Sequence, residues 1–172
     1  MIHVVLFQPE IVLNVGNISR ITIGFNCKLH LIRPYGFIFD KDRFDKDFIR
    51  SSANHFDVNS IFQYNDFDEF IMKNNISPCQ LYLYTRYGSR TPADFQYPDY
   101  KDNDIYLVFG KESTGIDHDI LRLYQDRWVR VPMSFNLRSM NIGNTVAIAV
   151  YEVLRQHRFN DLLKFEPHKD FD

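Results

Sequence analysis

The chain has little net charge, little cysteine and no long apolar run. Its 172 residues carry 20 Lys and Arg against 22 Asp and Glu, a formal net charge of −2. Whole-molecule attraction to nucleic acid is therefore not expected, and such contact would need basic side chains gathered on one face. Two cysteines, Cys27 and Cys79, are too few for a disulfide framework and form no C-x-x-C unit. Both sit in apolar stretches and read as buried thiols of a reducing compartment. The opening segment, Met1-Ile-His-Val-Val-Leu-Phe7, lacks the basic region and small-residue cleavage site of a signal peptide. No apolar run approaches the ~20 residues of a membrane span. The expectation is a soluble, cytoplasmic protein. Its length favours one domain, and its 45% hydrophobic residues suffice for a compact core.

Several chemistries are excluded by missing patterns. His3, His30, His55, His118, His157 and His168 are scattered without metal-ligand spacing, so no metal is expected. The acidic run Asp40, Asp42, Asp45, Asp47 departs from a calcium loop, because Phe44 and Asp45 stand where a ligand and a glycine belong. No G-x-S-x-G or G-x-G-x-x-G occurs. Gly110 and Gly115 have the spacing of the P-loop glycines. Ile116-Asp117 replaces the Lys-Ser/Thr pair, however, so no lysine reaches a terminal phosphate. Arg33, Lys41, Arg43, Lys46 and Arg50 interleave with aspartates and read as a solvated mixed-charge face.

What is present is an alternation of strands and helices. Ile2–Phe7, Leu29–Ile32, Leu81–Tyr84 and Ile105–Phe109 read as strands, with Val58–Tyr64 a weaker one and Trp128–Val131 stopped by Pro132. Helices are predicted from an Asn17 cap to about Phe25, over Asp42–Ile49, over Phe67–Met72, from Asp117 to Leu123 and over Val146–Gln156, with Pro9–Gly16 as a loop. Gly88–Asp104 is the longest loop, and long loops in compact domains are usually functional. This order implies an α/β fold with a mainly parallel sheet flanked by helices. One domain over residues 1–158 is expected, followed by a polar, loosely docked tail, 159–172.

Three loops carry the candidate chemistry. Asn14-Val-Gly-Asn-Ile-Ser-Arg20 follows the first strand and places Arg20 where it could meet a phosphate or sugar oxygen. Local pattern alone favours a plain helix cap with Arg20 solvated. Phe109-Gly-Lys-Glu-Ser-Thr-Gly-Ile116 is a Gly-bounded loop with one carboxylate, Glu112, and reads equally as an ordinary strand-to-helix turn. Arg130 to Asn144 joins a strand end, a loop and a helix start, and so gathers many N–H donors in one small space. Ser139 or Asn141 can cap the last helix there, and capping is compatible with ligand contact.

Taken in order, these segments are specific. Asn14-x-Gly-x-x-x-Arg20, Phe109-Gly-x-Glu-x-x-Gly115 and Val131-Pro-Met…Arg138-Ser-Met-Asn-x-x-Asn144 resemble the three motifs of SPOUT-class RNA 2′-O-ribose methyltransferases over about Ile2 to Gln156. The short chain is most similar to the bacterial branch acting on the tRNA wobble cytidine or uridine. The resemblance implies a SPOUT (α/β knot) fold with a deep trefoil knot in the carboxyl-terminal half, S-adenosylmethionine as cofactor, tRNA as partner and a homodimer packed through the first and last helices. Ala147, Val150 and Leu154 offer the last helix a narrow apolar face, for the dimer or for its own subunit.

By motif position, Leu83, Gly110, Val131 and Ser139 are expected to line the cofactor. Arg20, Asn14, Glu112, Ser139 and Asn141 fall on positions linked with methyl transfer. Arg138, Tyr151 and Arg86 are candidates for RNA contact, with Arg90, Arg155 and Arg158 as further basic groups and Tyr87 or Phe95 for base stacking. Gly143 and Thr145 stand where the family commonly has serine and alanine, and Ser51–Phe56 replaces a commoner Ala-Gly-Leu-Asp-Tyr-type run. Two other classes remain in view: a non-catalytic RNA-binding module, and an α/β protein using a different nucleotide. Methylation of another tRNA or rRNA position is also open.

Overall fold

In the computed structural model, residues 1–39 and 61–166 are described. The predicted helix Asp42–Ile49, the run Ser51–Phe56 and the start of the Val58–Tyr64 strand lie outside them.

Among the described residues, six strands form one sheet: β1 Ile2–Phe7, β2 Lys28–Ile32, β3 Ile61–Tyr64, β4 Leu81–Tyr84, β5 Ile105–Phe109 and β6 Trp128–Val129. Their order is β3-β2-β1-β5-β4-β6, and every neighbouring pair is parallel. β1, β4 and β5 are buried at every residue, as expected of parallel strands covered on both faces. The principal helices among the described residues are α1 Val12–Gly24, α2 Phe67–Lys73, α3 His118–Leu123 and α4 Ile142–Gln156.

Side-chain alternation along the strands splits the interior in two. Ile2, Val4, Leu6, Leu107 and Phe109 face α1 and α4, which supply Val15, Ile18, Val146, Val150 and Leu154. Val5, Phe7, Leu81, Leu83 and Val108 face the opposite layer, with Phe67 and Phe70 of α2 and Leu121 of α3. On α4 the buried positions Val146, Ala149, Val150, Val153 and Leu154 follow the spacing of one helix face. That face packs inside its own subunit, so Val150 and Leu154 are not free for a dimer contact.

The register aligns the strand ends. Leu6 pairs with Phe109, Phe109 with Tyr84 and Tyr84 with Val129. The connections leaving β1, β5, β4 and β6 therefore emerge side by side. The chain builds β2 and β3 on one side of β1, then returns to add β4, β5 and β6 on the other. Such a reversal opens a crevice beyond the carboxyl ends of the strands.

Three local readings are corrected. α1 begins at Val12 with Ile11 at its cap and no side-chain cap bond, so Asn14, Gly16 and Asn17 lie within the helix. Poor helix formers are tolerated there because Val15, Ile18, Ser19 and Thr22 form one buried stripe, and packing outweighs propensity. β6 stops at Val129, after which the Arg130 N–H turns to donate to the Arg90 carbonyl at 2.8 Å. The loop Gly88–Asp104 is largely a packing element: Phe95, Tyr97 and Tyr100 are buried in the α1/α4 layer. Gln156 of α4 ties it down, donating to the Phe95 carbonyl at 2.9 Å and accepting from the Tyr97 N–H at 3.1 Å.

Of the cysteines, Cys27 is half-buried and Cys79 is exposed, against the expectation for the latter. Burial pushes the Cys27 thiol up to about 12.

Candidate active site

The aligned strand ends floor a cleft of about 380 Å³. Tyr84, Phe109 and Val129 form the floor, and its walls are Thr85–Tyr87 after β4, Gly110–Ile116 after β5, and two stretches of the β6–α4 connection. Ile11 and Asn14 close one side from α1. The result is an apolar floor under a rim rich in backbone polar groups, the composition of a site for a polar small molecule.

The loop after β5 is shaped by its glycines. Lys111 and Gly115 exchange two backbone hydrogen bonds, of 3.1 and 3.0 Å, closing a narrow loop. A Cβ on Gly110 would lie 2.1 Å from the Gly115 carbonyl carbon and 2.2 Å from the Ile116 nitrogen. Gly115 sits at φ +82, where a side chain would be strained. The Lys111 ammonium pairs with Asp117 at 3.0 Å and lies over the Phe7 ring, 5.5 Å from its centroid.

Three distant segments meet in one hydrogen-bonded chain. Asn14 Nδ2 donates to Glu112 Oε1 at 2.8 Å. Asn141 Nδ2 donates to Asn14 Oδ1 at 3.0 Å. Asn141 Oδ1 accepts from the Gly143 N–H at 2.8 Å, which caps α4. The second oxygen of Glu112 accepts from the Glu10 N–H at 2.9 Å. A Cβ at Gly143 would stand 2.5 Å from the Asn17 amide nitrogen, so a side chain there would require the Asn17 amide to move aside.

Most of the residues expected at the site come together. Asn14, Glu112, Ser139, Asn141, Gly110, Val131, Arg138 and Arg86 all line the cleft. Leu83 does not, because strand alternation turns its side chain into the opposite core layer, where it is fully buried. Tyr84 and Thr85 take its place. Arg20 is exposed on α1 and is not a lining residue of its own chain's cleft. Tyr151 is also outside it, exposed on α4 with its ring 5.1 Å from that of Phe159.

The remaining aromatic and basic candidates divide. Phe95 is 3% exposed and lies under the Arg90 guanidinium at 3.7 Å, so it cannot stack on a base. Arg90 also donates to the Asp94 and Asp126 carbonyls. Arg155 is paired with Glu152 at 2.7 Å. Tyr87 lines the cleft and stays exposed, with the Arg86 guanidinium donating to its hydroxyl at 2.7 Å and His118 within 3.2 Å of the same oxygen.

Sequence reasoning missed two contributors. Glu10 accepts both the N–H and the hydroxyl of Ser113, at 2.8 and 2.7 Å. These bonds hold its carboxyl below the usual carboxylate range. Arg130 donates to the Arg86 carbonyl at 2.6 Å and joins the loops after β4 and β6. The position of Glu10 just past the carboxyl end of a central strand was the available signal.

A model of the SpoU rRNA Methylase family matches residues 1–151. The chain belongs to this family. A relative from Listeria monocytogenes, named "Putative tRNA (cytidine(34)-2′-O)-methyltransferase", is 41% identical over 168 residues, covering 98% of this chain and 95% of its own. A structure described as a "putative RNA methyltransferase from Bacillus anthracis" superposes with a TM-score of 0.83 at 34% identity, over 96% of this chain and all of that one. A further structure, described as giving insights into 2-OH methylation of C/U34 on tRNA, has a TM-score of 0.78 at 27% identity, over 93% and 98% of the two chains. The α/β architecture with its parallel sheet is therefore that of the SpoU methyltransferases.

Proposed function

We propose that the protein is an S-adenosylmethionine-dependent methyltransferase that modifies the ribose 2′-oxygen of the tRNA wobble nucleotide, cytidine or uridine 34. The observation that carries this reading is the convergence of Glu112, Asn14 and Asn141, from three separated segments, on the wall of one cleft. SpoU methyltransferases use S-adenosylmethionine, and the relatives named for this activity match nearly the full chain.

The residues present fit that cofactor. The apolar floor of Tyr84, Phe109 and Val129 with Ile116 and Val131 suits a planar base, and the loop backbones of Arg86, Gly110 and Ser139 suit its polar edges. When bound, S-adenosylmethionine supplies an electrophilic methyl carbon on a sulfonium. The protein's share is orientation and electrostatics. Ser139 is exposed at the cleft rim and free to bond a ribose hydroxyl. Asn141 is locked by Asn14 and its own cap, so it presents a fixed edge. Arg138 and Arg86 line the same cleft and are assigned in this reading to RNA phosphates.

A guanidinium stays protonated in proteins, so Arg20 is assigned to a phosphate and to developing oxyanion charge, not to proton abstraction. It lies outside its own cleft, and its part in this reading is therefore played in a homodimer, at the second subunit's site. Exposed Leu13 and Ile23 of α1 and Ile148 and Tyr151 of α4 form the contact in this reading. An apolar groove between Phe25, Pro92, Pro132 and Ile148 extends it. Tyr151 serves RNA or the partner subunit there. The β6–α4 connection is read as the threaded segment of a trefoil knot. Residues 1–158 are read as one SPOUT domain and 159–172 as its tail, docked at its start by Phe159, Leu162 and the Asp161–Lys101 pair at 2.9 Å. The site of action is the cytoplasm.

The test is incubation of the purified protein with total bacterial tRNA and methyl-labelled S-adenosylmethionine, followed by mapping of the modified nucleotide. Label at the 2′-oxygen of nucleotide 34 is the expected result. Label at another tRNA position or in rRNA overturns the substrate, and no cofactor binding by calorimetry overturns the activity.

A further inference from the structure

The chain of hydrogen bonds across the site has a direction, and its origin lies outside the three motif loops. A carboxylate only accepts, whereas an amide offers one accepting and one donating end. Glu112 must therefore meet the NH₂ of Asn14, which turns the Asn14 oxygen to the NH₂ of Asn141 and the Asn141 oxygen to the Gly143 N–H. This order holds only while Glu112 keeps one oxygen toward Asn14.

Glu10 is what holds it. Its backbone N–H occupies Glu112 Oε2 at 2.9 Å, leaving Oε1 for Asn14. Its carboxylate reaches the next residue of the same loop, with Oε2 accepting the Ser113 N–H at 2.8 Å and Oε1 the Ser113 hydroxyl at 2.7 Å. The β1–α1 connection and the Gly110–Gly115 loop are thus tied by three reciprocal bonds, each accepted by a carboxylate oxygen.

We infer that Glu10 is a positioning residue for methyl transfer: by clamping Ser113 and Glu112 it fixes the Gly110–Gly115 loop and sets the direction of the Glu112–Asn14–Asn141 chain. This rests on the proposed methyltransferase reading. A merely structural role would cost stability and leave turnover alone.

The experiment compares Glu10→Ala, Glu10→Gln and Ser113→Ala in the full chain, well below their unfolding temperatures. Single-turnover methylation, calorimetric binding of S-adenosylmethionine and amide hydrogen exchange are measured together. Glu10→Ala is expected to lower the single-turnover rate at least about tenfold, since small misplacements are costly in oriented reactions. Glu10→Gln keeps an oxygen toward the Ser113 N–H and recovers most of that loss. Ser113→Ala, which keeps the backbone bond, falls between them. Turnover unchanged in Glu10→Ala, or no better in Glu10→Gln, overturns the inference. If wild-type protein transfers no methyl group, the functional reading fails, and the clamp is judged by exchange alone. Exchange at residue 10 and Ser113 should be at least about tenfold faster in Glu10→Ala, and equal protection refutes the clamp.

Discussion

The side-chain amide of Asn141 donates to Asn14 Oδ1 at 3.0 Å, although the two residues are 127 positions apart. One stands in the first helix and the other caps the last. Their contact joins the two motifs that face each other across the cleft, and Glu112 completes the link from the loop between β5 and α3.

The first prediction concerns this pair. Asn141→Ala removes both the α4 cap and the partner of Asn14, and should cost about 1 kcal/mol in stability, the usual loss for a cap. Asn14→Ala should cost less stability, yet lower methyl transfer comparably. The double variant should be no slower than the worse single one, because the two act as a unit. Fully multiplicative rate losses in that cycle contradict the coupling.

Gly110→Ala forces a Cβ to within 2.1 Å of the Gly115 carbonyl carbon and 2.2 Å of the Ile116 nitrogen. Backbone cannot yield as a flexible side chain can, so the loop must open, with an overpacking cost of about 1–3 kcal/mol. Affinity for S-adenosylmethionine should fall at least about tenfold. Retained affinity by calorimetry would separate this loop from cofactor binding.

Arg20→Lys keeps the charge but loses the planar fork. The expected outcome is a large fall in turnover with cofactor affinity intact, because Arg20 lies outside the cleft of its own chain. Near-normal turnover refutes its phosphate role. The dimer half of the reading is tested by introducing a charge on the exposed α4 face, as Ile148→Asp. Sedimentation should then show monomer, and activity should drop with it.

The fourth prediction is a pH dependence of stability. His3 Nδ1 lies 2.8 Å from His30 Nε2, and His30 Nδ1 lies 2.9 Å from the Tyr64 hydroxyl. Burial lowers both imidazoles, most strongly His30, which falls to about 3 and is further opposed by His3. Asp104, 3.0 Å from His3 Nε2, partly offsets the shift at His3. The folded protein thus binds these protons less readily than the unfolded chain. Stability should be fully present above the unfolded histidine value of about 6.5 and decline as pH falls from there toward about 3, by up to ~1.4 kcal/mol per pH unit per histidine. Urea unfolding at pH 8 and pH 5 measures it, and His30→Gln should flatten the profile. An equally flat wild-type profile would contradict the buried neutral pair.

Much of the fold was legible in the chain. Ile2–Phe7 and Ile105–Phe109 are apolar enough to be strands covered on both faces, and the structure puts them at the sheet centre with the predicted ends. The motif residues were legible for a different reason. Glycines at a tight loop and an amide at a helix cap answer to local backbone demands that short stretches reveal.

What depended on tertiary contact was not legible. Asn14 and Gly16 read as loop residues because neither favours a helix. They are helical since the Val15, Ile18 and Thr22 stripe is buried. Phe95 looked available for stacking, but whether an aromatic ring faces solvent or core depends on what covers it, and here Arg90 and the sheet do. Leu83 and Tyr84 differ only by strand parity, and register decided which one reached the cleft. Composition, spacing and motif order are properties of the chain and determined its class. The side of an element on which each residue ends, and the partner that holds Glu112 in place, are set by long-range packing.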